Sequence, residues 1–168
     1  MIVDEIRRLL ERRKYRDAFE MLLDGYEKRV FRMAVMMLRD TGRAEEVTQD
    51  IFLKIWQALP QYDGRAAPST WLYAIARNTC LTAVRAESYR RTEMLDEAAG
   101  PVADPAPAAF IDLQRQLAEL PDEQREAITL FYLEERSIAE VAQILDLPEG
   151  TVKSQLHRAR RTLGERMV

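Results

Sequence analysis

The chain has 168 residues with a formal net charge of −3 at pH 7, and 47% of its residues are hydrophobic. This length suits one domain or two small ones, and no apolar run reaches the roughly 18 residues that a membrane-spanning helix needs. The charged amino-terminal stretch predicts that there is no signal peptide. One cysteine, Cys80, excludes an internal disulfide and a thiolate metal cluster, so we expect a cytoplasmic protein without a metal or cofactor.

Apolar residues recur at helical spacing along most of the chain and strand signals are few, so we predict an all-α fold. Gly25 is expected to interrupt the second helix, and Asp40-Thr41-Gly42 has the composition of a stop signal. Pro60 should end the next helix, and Ser69 or Thr70 can cap a long one. The predicted amino-terminal helices cover residues 2–13, residues 15–24, a segment ending at Leu38, residues 44–59 and residues 70–91.

The helix predicted over residues 44–59 has an apolar face and a polar face. The apolar face, which we expect to enter the core, carries Val47, Ile51, Phe52, Ile55, Trp56 and Leu59. The opposite face carries Glu46, Gln49, Asp50 and Leu53. A leucine ringed by acids and amides predicts a protein-docking patch, with an apolar anchor and an acidic rim. Single exposed leucines are common, so an ordinary solvated face is the alternative.

The loop at residues 61–68 and the helix after it carry side chains suited to nucleic acid. The loop holds Tyr62, Asp63, Gly64 and Arg65, and the polar arc of the helix holds Arg77, Asn78 and Arg85, extended by Arg90 and Arg91. Aromatic groups on a loop can capture unstacked bases, Asn can bind base edges and Arg can hold phosphates. The alternative is that Tyr62 is core and Asn78 a surface amide. We expect Trp71 to be core, and Cys80 to be a packed thiol.

The composition changes between Thr92 and Asp112, where five acids occur without any Lys or Arg, together with three prolines. This composition is typical of an extended or disordered tether. We therefore predict two small helical domains, at residues 1–92 and 112–168, joined by an acidic Pro/Ala-rich linker at residues 93–111. Helices are predicted over residues 109–119 and 122–134 after the linker.

The last thirty residues predict a helix-turn-helix. Ser137 and Glu140 have the spacing of a capping box, and Pro148 separates two short helices. In the second helix the apolar stripe consists of Val152, Leu156, Ala159 and Leu163, and the polar face carries Lys153, Ser154, His157, Arg158 and Arg161. A helix that docks by an apolar stripe and presents a basic face suits the major groove of DNA. An amphipathic helix with a solvated face is the alternative.

Three segments together resemble the bacterial sigma-70 family, and specifically its small extracytoplasmic-function (ECF) group. They are AEEVTQDIFLKIWQALPQYDG, STWLYAIARNTCLTAVR and LPDEQREAITLFYLEERSIAEVAQILDLPEGTVKSQLHRAR. The resemblance covers roughly residues 15–91 and 112–166. The family consists of dissociable RNA polymerase subunits that direct the core enzyme to promoters and help to melt the −10 region. The resemblance implies that core RNA polymerase, promoter DNA and an anti-sigma factor are partners. It also implies that there is no small-molecule substrate and no insertion into a membrane.

The resemblance also implies roles for the residues selected above. The helix face with Glu46, Gln49, Asp50 and Leu53 resembles the one that docks on a coiled coil of the largest polymerase subunit. The −10 element would be bound by Tyr62, Asp63, Arg65, Arg77, Asn78 and Arg85, with Arg90 and Arg91 near phosphates. The −35 element would be bound by Lys153, Ser154, His157, Arg158 and Arg161. The family often carries an acid near Thr82, and its absence here is expected to affect local packing or capping.

Two other functions remain open from the sequence. A stand-alone helix-turn-helix regulator would bind an inverted-repeat site as a dimer without polymerase. A sigma mimic would bind a regulator without transcribing, but it would have little reason to keep both the polar arc around Asn78 and the basic face of the last helix. No spacing of catalytic or metal-binding residues stands out, and His157 is the single histidine, so we do not expect an enzyme.

Overall fold

A computed structural model describes residues 2–94 and 108–166, and within these ranges all regular structure is helical. This confirms the predicted all-α fold. The helices are α1 (Ile2–Glu11), α2 (Tyr15–Leu38), α3 (Thr41–Ala58), α4 (Pro68–Met94), α5 (Ala108–Ala118), α6 (Asp122–Ile128), α7 (Ile138–Leu145) and α8 (Glu149–Arg166). A 3₁₀ turn, Leu59–Gln61, follows α3, and a π-helical turn, Thr129–Leu133, continues α6. None of the described helices is long and apolar enough to cross a membrane.

The amino-terminal half is a bundle of α1 to α4 around one apolar core. Helix α2 packs against α1, α3 and α4, so it is the centre of the bundle. Its fully buried residues Leu22 and Val30 share the core with Ile51 and Ile55 of α3 and with Tyr73 of α4. Burial of such side chains is worth about 1.5–3 kcal/mol each, which is what holds these helices together.

We expected Gly25 to interrupt the second helix, and this expectation was wrong, because α2 is continuous over 24 residues. A glycine inside a helix costs about 1 kcal/mol relative to alanine, but Leu22 and Tyr26 on either side are buried and more than offset that cost. Helix α2 ends at Leu38, as predicted, and a single tight turn connects it to α3. Arg39 adopts a left-handed conformation, and the Asp40 carboxylate accepts the backbone N–H of Arg43, so α3 begins earlier than predicted.

Helix α4 begins at Pro68, one residue before the predicted cap, because proline fits the first turn of a helix. It extends to Met94, and α5 begins at Ala108, so helical structure reaches into both ends of the predicted linker, residues 93–111. Residues 95–107 of that linker lie outside the described residues. The Cys80 thiol is fully buried on the inner side of α4, and burial raises its pKa to about 12, which agrees with a packed thiol.

The carboxyl-terminal half contains the predicted helix-turn-helix in α7 and α8. The capping box is present, since Ser137 Oγ accepts the N–H of Glu140 and Glu140 Oε1 accepts the N–H of Ser137. Asp146 adopts the left-handed conformation that ends α7. The end of α5 is held by the buried Arg125, whose Nε donates to the carbonyl of Leu117 at 3.0 Å. These contacts satisfy polar groups at helix ends that the core would otherwise leave unpaired.

Two glycines of the bundle provide a matched test of its backbone. Gly25 lies inside α2 with nothing within 4 Å of an added Cβ, whereas Gly64 has a φ of +82° in the loop before α4. Gly25→Ala should therefore raise the free energy of unfolding by about 1 kcal/mol, and Gly64→Ala should lower it by about 1–2 kcal/mol. Chemical denaturation followed by circular dichroism measures both changes. Equal effects of the two substitutions would contradict the assigned backbone conformations.

Candidate docking and nucleic-acid surfaces

The polar face of α3 is on the surface, as its spacing predicts. Leu53 is 56% exposed, and Glu46, Gln49 and Asp50 around it are also exposed. The assignment of Trp56 to the core was wrong, because its side chain is 43% exposed. Trp56 instead packs edge-to-face against the Phe19 ring of α2, with the ring centroids 5.3 Å apart.

Leu53 and Trp56 line an apolar groove between α2 and α3 with a volume of about 850 Å³. The ring of Phe19 and the side chain of Leu23 form its other wall, and Arg16 and Glu20, which are paired with each other, lie at the rim. The sequence identified Leu53 but missed Phe19 and Trp56. These two residues meet across a pair of helices, so periodicity within one helix contains no signal for them.

The loop before α4 is ordered by its own contacts. The Tyr62 ring packs edge-to-face against Trp71 with centroids 5.3 Å apart, and its hydroxyl donates to the carbonyl of Ala66. Burial is the largest cause of the raised pKa of Tyr62. The Asp63 carboxylate accepts the N–H of Arg65, and both side chains remain exposed. The ring of Tyr62 thus holds the loop, and Asp63 and Arg65 are its outward-facing groups.

The polar arc of α4 is divided between solvent and the other half of the protein. Asn78 and Arg85 are exposed, whereas the Arg77 guanidinium lies 3.3 Å from the buried carboxylate of Glu126 on α6. The Thr82 hydroxyl donates to the carbonyl of Asn78, one turn back in the same helix. The side chains of Arg90 and Arg91 lie outside the described residues.

A second buried acid, Glu134, links the two halves. Its side chain is 0% exposed, and both oxygens have partners: Arg32 of α2 donates at 3.2 Å and the Tyr73 hydroxyl of α4 donates at 3.1 Å. The guanidinium of Arg136 lies over the Tyr73 ring, 5.3 Å from its centroid. Burial raises the pKa of Glu134, and the nearby Arg32 opposes that rise.

The contacts made by Glu126 and Glu134 join the two halves into one continuous core. Helix α4 packs against α7, and α2 contacts α5, α6 and the π-helical turn. Sequence reasoning assigned Arg77 to DNA and found no role for either acid, because each ion pair joins residues about fifty or more positions apart. In this packed arrangement Arg77 already has an anionic partner, so a phosphate would compete with Glu126 for its guanidinium.

The helix-turn-helix presents the predicted basic face. Val152, Leu156 and Ala159 are fully buried and dock α8 on α6 and α7. The side chains on the outer face are all exposed: Lys153, Ser154, His157, Arg158 and Arg161. The Ser154 hydroxyl donates to the carbonyl of Gly150, so it is held against its own helix. Within the described residues no cluster of His, Cys, Asp and Glu could hold a metal ion.

The ion pairs of Glu134 predict the effect of reversing its charge. Glu134→Arg would place a buried cation beside Arg32 and Arg136, so the two halves should separate while their helices stay folded. The radius of gyration from small-angle X-ray scattering should increase, with helicity retained by circular dichroism. Glu135→Arg, at the exposed neighbouring position, is the matched control and should leave the radius unchanged. An unchanged radius in Glu134→Arg would contradict this account of the interface.

Comparison with known proteins gives matches along most of the chain. The family model of sigma-70 region 2 matches residues 22–90, and that of sigma-70 region 4 matches residues 110–163. The ECF RNA polymerase sigma factor SigW of Bacillus subtilis is 30% identical, with 90% of this chain and 89% of SigW covered. SigK of Mycobacterium ulcerans, also an ECF RNA polymerase sigma factor, is 36% identical, with 95% of this chain and 92% of SigK covered.

Two solved structures have a similar fold. One is the sigma factor RpoE in complex with the anti-sigma factor NepR from Bartonella quintana, with a TM-score of 0.75, 25% identity, and coverage of 88% of this chain and 94% of that one. The other is CnrH in complex with the cytosolic domain of CnrY, also with a TM-score of 0.75. At 23% identity, with 96% and 97% of the two chains covered, CnrH supports the fold alone.

Proposed function

This chain belongs to the ECF group of the sigma-70 family, and from that membership we propose how its surfaces divide the work of a sigma factor. The protein is an RNA polymerase sigma factor for promoter recognition and transcription initiation, which is a regulatory role in DNA recognition. We further propose that it acts in the cytoplasm as a non-catalytic subunit, without a cofactor. The main support for this division is that the same chain has an exposed apolar groove and a helix, α8, that is docked by its apolar side and presents a basic face.

The groove between α2 and α3 is proposed to bind core RNA polymerase. Leu53 and Trp56 supply exposed apolar surface, and Glu46, Gln49 and Asp50 surround it with polar and acidic groups. An apolar groove with a polar rim fits an amphipathic helix, whose apolar side chains enter the groove while basic side chains meet the rim. A helix of the coiled coil on the largest polymerase subunit is the partner that the family resemblance implies.

Promoter DNA is proposed to bind at two separate surfaces. Helix α8 enters the major groove of the −35 element with Lys153, His157, Arg158 and Arg161, and Ser154 lies close to the backbone. The −10 element binds the loop residues Asp63 and Arg65 and the α4 residues Arg77, Asn78 and Arg85. Tyr62 contributes by holding the loop, because its ring is packed against Trp71.

The packed arrangement is proposed to be a closed state that opens when both DNA elements are bound. The −10 and −35 elements are about 25 base pairs apart, which is roughly 85 Å along straight DNA. A packed chain of this length measures only about 40 Å across. The fourteen peptide links that join Met94 to Ala108 can span at most about 50 Å, enough for the halves to move apart. Opening also releases Arg77 from Glu126.

An anti-sigma factor is proposed as a further partner. The similar structure of RpoE is a complex with the anti-sigma factor NepR, and RpoE has the same fold as this chain. The groove exposes the apolar side chains of Leu53 and Trp56, so a regulator that covers it would also compete with core polymerase.

Substitution of the groove residues tests polymerase docking. Asp50→Arg with Leu53→Ala removes the apolar anchor and reverses a rim charge, so affinity for core polymerase should fall at least about tenfold. Affinity can be measured by fluorescence anisotropy of labelled protein. Arg158→Ala is the control and should leave core binding unchanged. Core affinity that is unchanged in the Asp50 and Leu53 variant would contradict this docking site.

Arg158→Ala tests the −35 assignment. If Arg158 bonds a base edge in the major groove, its loss should cost about 1–3 kcal/mol on the preferred −35 sequence and much less on altered sequences. Binding of the holoenzyme to a set of −35 variants measures the difference. A uniform loss on every sequence would show that Arg158 contacts phosphate only.

The proposed function as a whole is tested with core polymerase that lacks a sigma factor. The purified chain should co-elute with it and should direct transcription of a genomic DNA library from new, discrete start sites. Tight binding of the chain alone to a palindromic site, without association with polymerase, would instead indicate a dimeric regulator. Stable association that gives no start sites on a complete library would indicate a sigma mimic.

A further inference from the structure

The amino-terminal half carries three hydrogen-bond donors that bind carboxylates of the carboxyl-terminal half. Arg32 of α2 donates to one oxygen of Glu134 at 3.2 Å, and the Tyr73 hydroxyl of α4 donates to the other oxygen at 3.1 Å. Arg77, one turn further along α4, donates to the Glu126 carboxylate at 3.3 Å. We call Arg32, Tyr73 and Arg77 the donor cluster, and it forms one anion-binding face on the amino-terminal half.

The two carboxylates use only part of the donor capacity of this cluster. Each guanidinium donates to its carboxylate through a single terminal nitrogen, Nη2. The Nε–H groups of Arg32 and Arg77 are buried and have no protein acceptor among the described residues. Guanidinium groups bind carboxylates and phosphates most strongly through two parallel N–H···O bonds. The cluster therefore has donors that Glu126 and Glu134 leave unused.

The donor cluster adjoins the arc of α4 that is proposed to bind the −10 element. Arg77 Nη1 donates to Asn78 Oδ1 at 3.3 Å, so the cluster and the exposed Asn78 amide share a hydrogen bond. In the proposed open state the carboxyl-terminal half leaves α4, and its two carboxylates leave with it. The donor cluster then faces solvent directly beside the −10 surface.

We propose that the donor cluster binds a backbone phosphate of promoter DNA next to the −10 element, and that Glu126 and Glu134 occupy this phosphate site in the closed state. Guanidinium and hydroxyl groups are usual donors to DNA phosphates. DNA and the carboxyl-terminal half would compete for the same donors, which couples DNA binding to opening. The inference rests on the proposed function, because the site is exposed only in an opened sigma factor.

Arg32 is the position to test, because no other proposed role uses it and its side chain is already 39% exposed. Arg32→Gln and Glu134→Gln both remove the same ion pair, so both variants share any effect of easier opening. Only Arg32→Gln removes a phosphate donor. Holoenzyme assembled with Arg32→Gln should therefore bind promoter DNA about fivefold more weakly than holoenzyme with Glu134→Gln, by the same factor on every −10 sequence.

The salt dependence of promoter binding provides a second readout. The slope of log K against log salt concentration should become shallower by about 0.7–0.9 in Arg32→Gln, the value for one lost phosphate contact, and should keep its native value in Glu134→Gln. Arg32→Lys keeps the charge and should retain most of the native slope. Lys28→Gln removes the same charge at an exposed position one turn earlier on α2 and should match the native protein.

Four other results would overturn the proposal or its basis. Equal affinities and slopes for Arg32→Gln and Glu134→Gln would show that Arg32 only holds the two halves together. Weaker assembly of Arg32→Gln with core polymerase would place the cluster on an acidic surface of the enzyme. A loss restricted to some −10 sequences would indicate a base contact. Native holoenzyme that fails to bind promoter DNA would refute the proposed function itself, which is distinct from a difference between native and variant proteins.

Discussion

The buried carboxylate of Glu134 is the contact on which the arrangement of the two halves depends. A carboxylate with no exposed surface is costly unless each oxygen is bonded, and here Arg32 and Tyr73 bond one oxygen each. The backbone N–H of Glu134 donates to the carbonyl of Thr129, so the π-helical turn positions the acid between α2 and α4. Loss of Arg32 would leave this buried carboxylate without its ion-pair partner, and removal of one member of a buried ion pair typically costs about 3–5 kcal/mol.

At the same interface, the ion pair of Arg77 competes with its proposed role in DNA binding. Its pair with Glu126 stabilises the packed halves, yet Arg77 belongs to the arc proposed to bind the −10 element. Burial raises the pKa of Glu126, so the ionised form is less favourable in the interface than in water. The two halves are thus joined by charged groups whose separation restores hydration. An interface of this kind can open at a modest cost when DNA supplies new anionic partners.

Local patterns predicted the features that depend on nearby residues, whereas distant contacts stayed hidden. The capping box at Ser137 and the exposed Leu53 follow from spacing along single helices, so sequence reasoning located both. Trp56 was assigned to the core because helical periodicity cannot show that the neighbouring helix leaves a groove there. The expected interruption at Gly25 failed because tertiary burial outweighs helix propensity. The partners of Arg77 and Glu134 depend on how the halves pack, which no local pattern encodes.

The chain is proposed to adopt a packed state on its own and an open state with polymerase and DNA. The most direct measurement is the distance between spin labels at Asp24→Cys and Gln143→Cys, both exposed positions, in a Cys80→Ala background. The free chain should give one short distance, below about 40 Å. The promoter-bound holoenzyme should give a distance at least about 20 Å longer. The same short distance in both states would contradict the account, because two DNA elements could not then be bound at once.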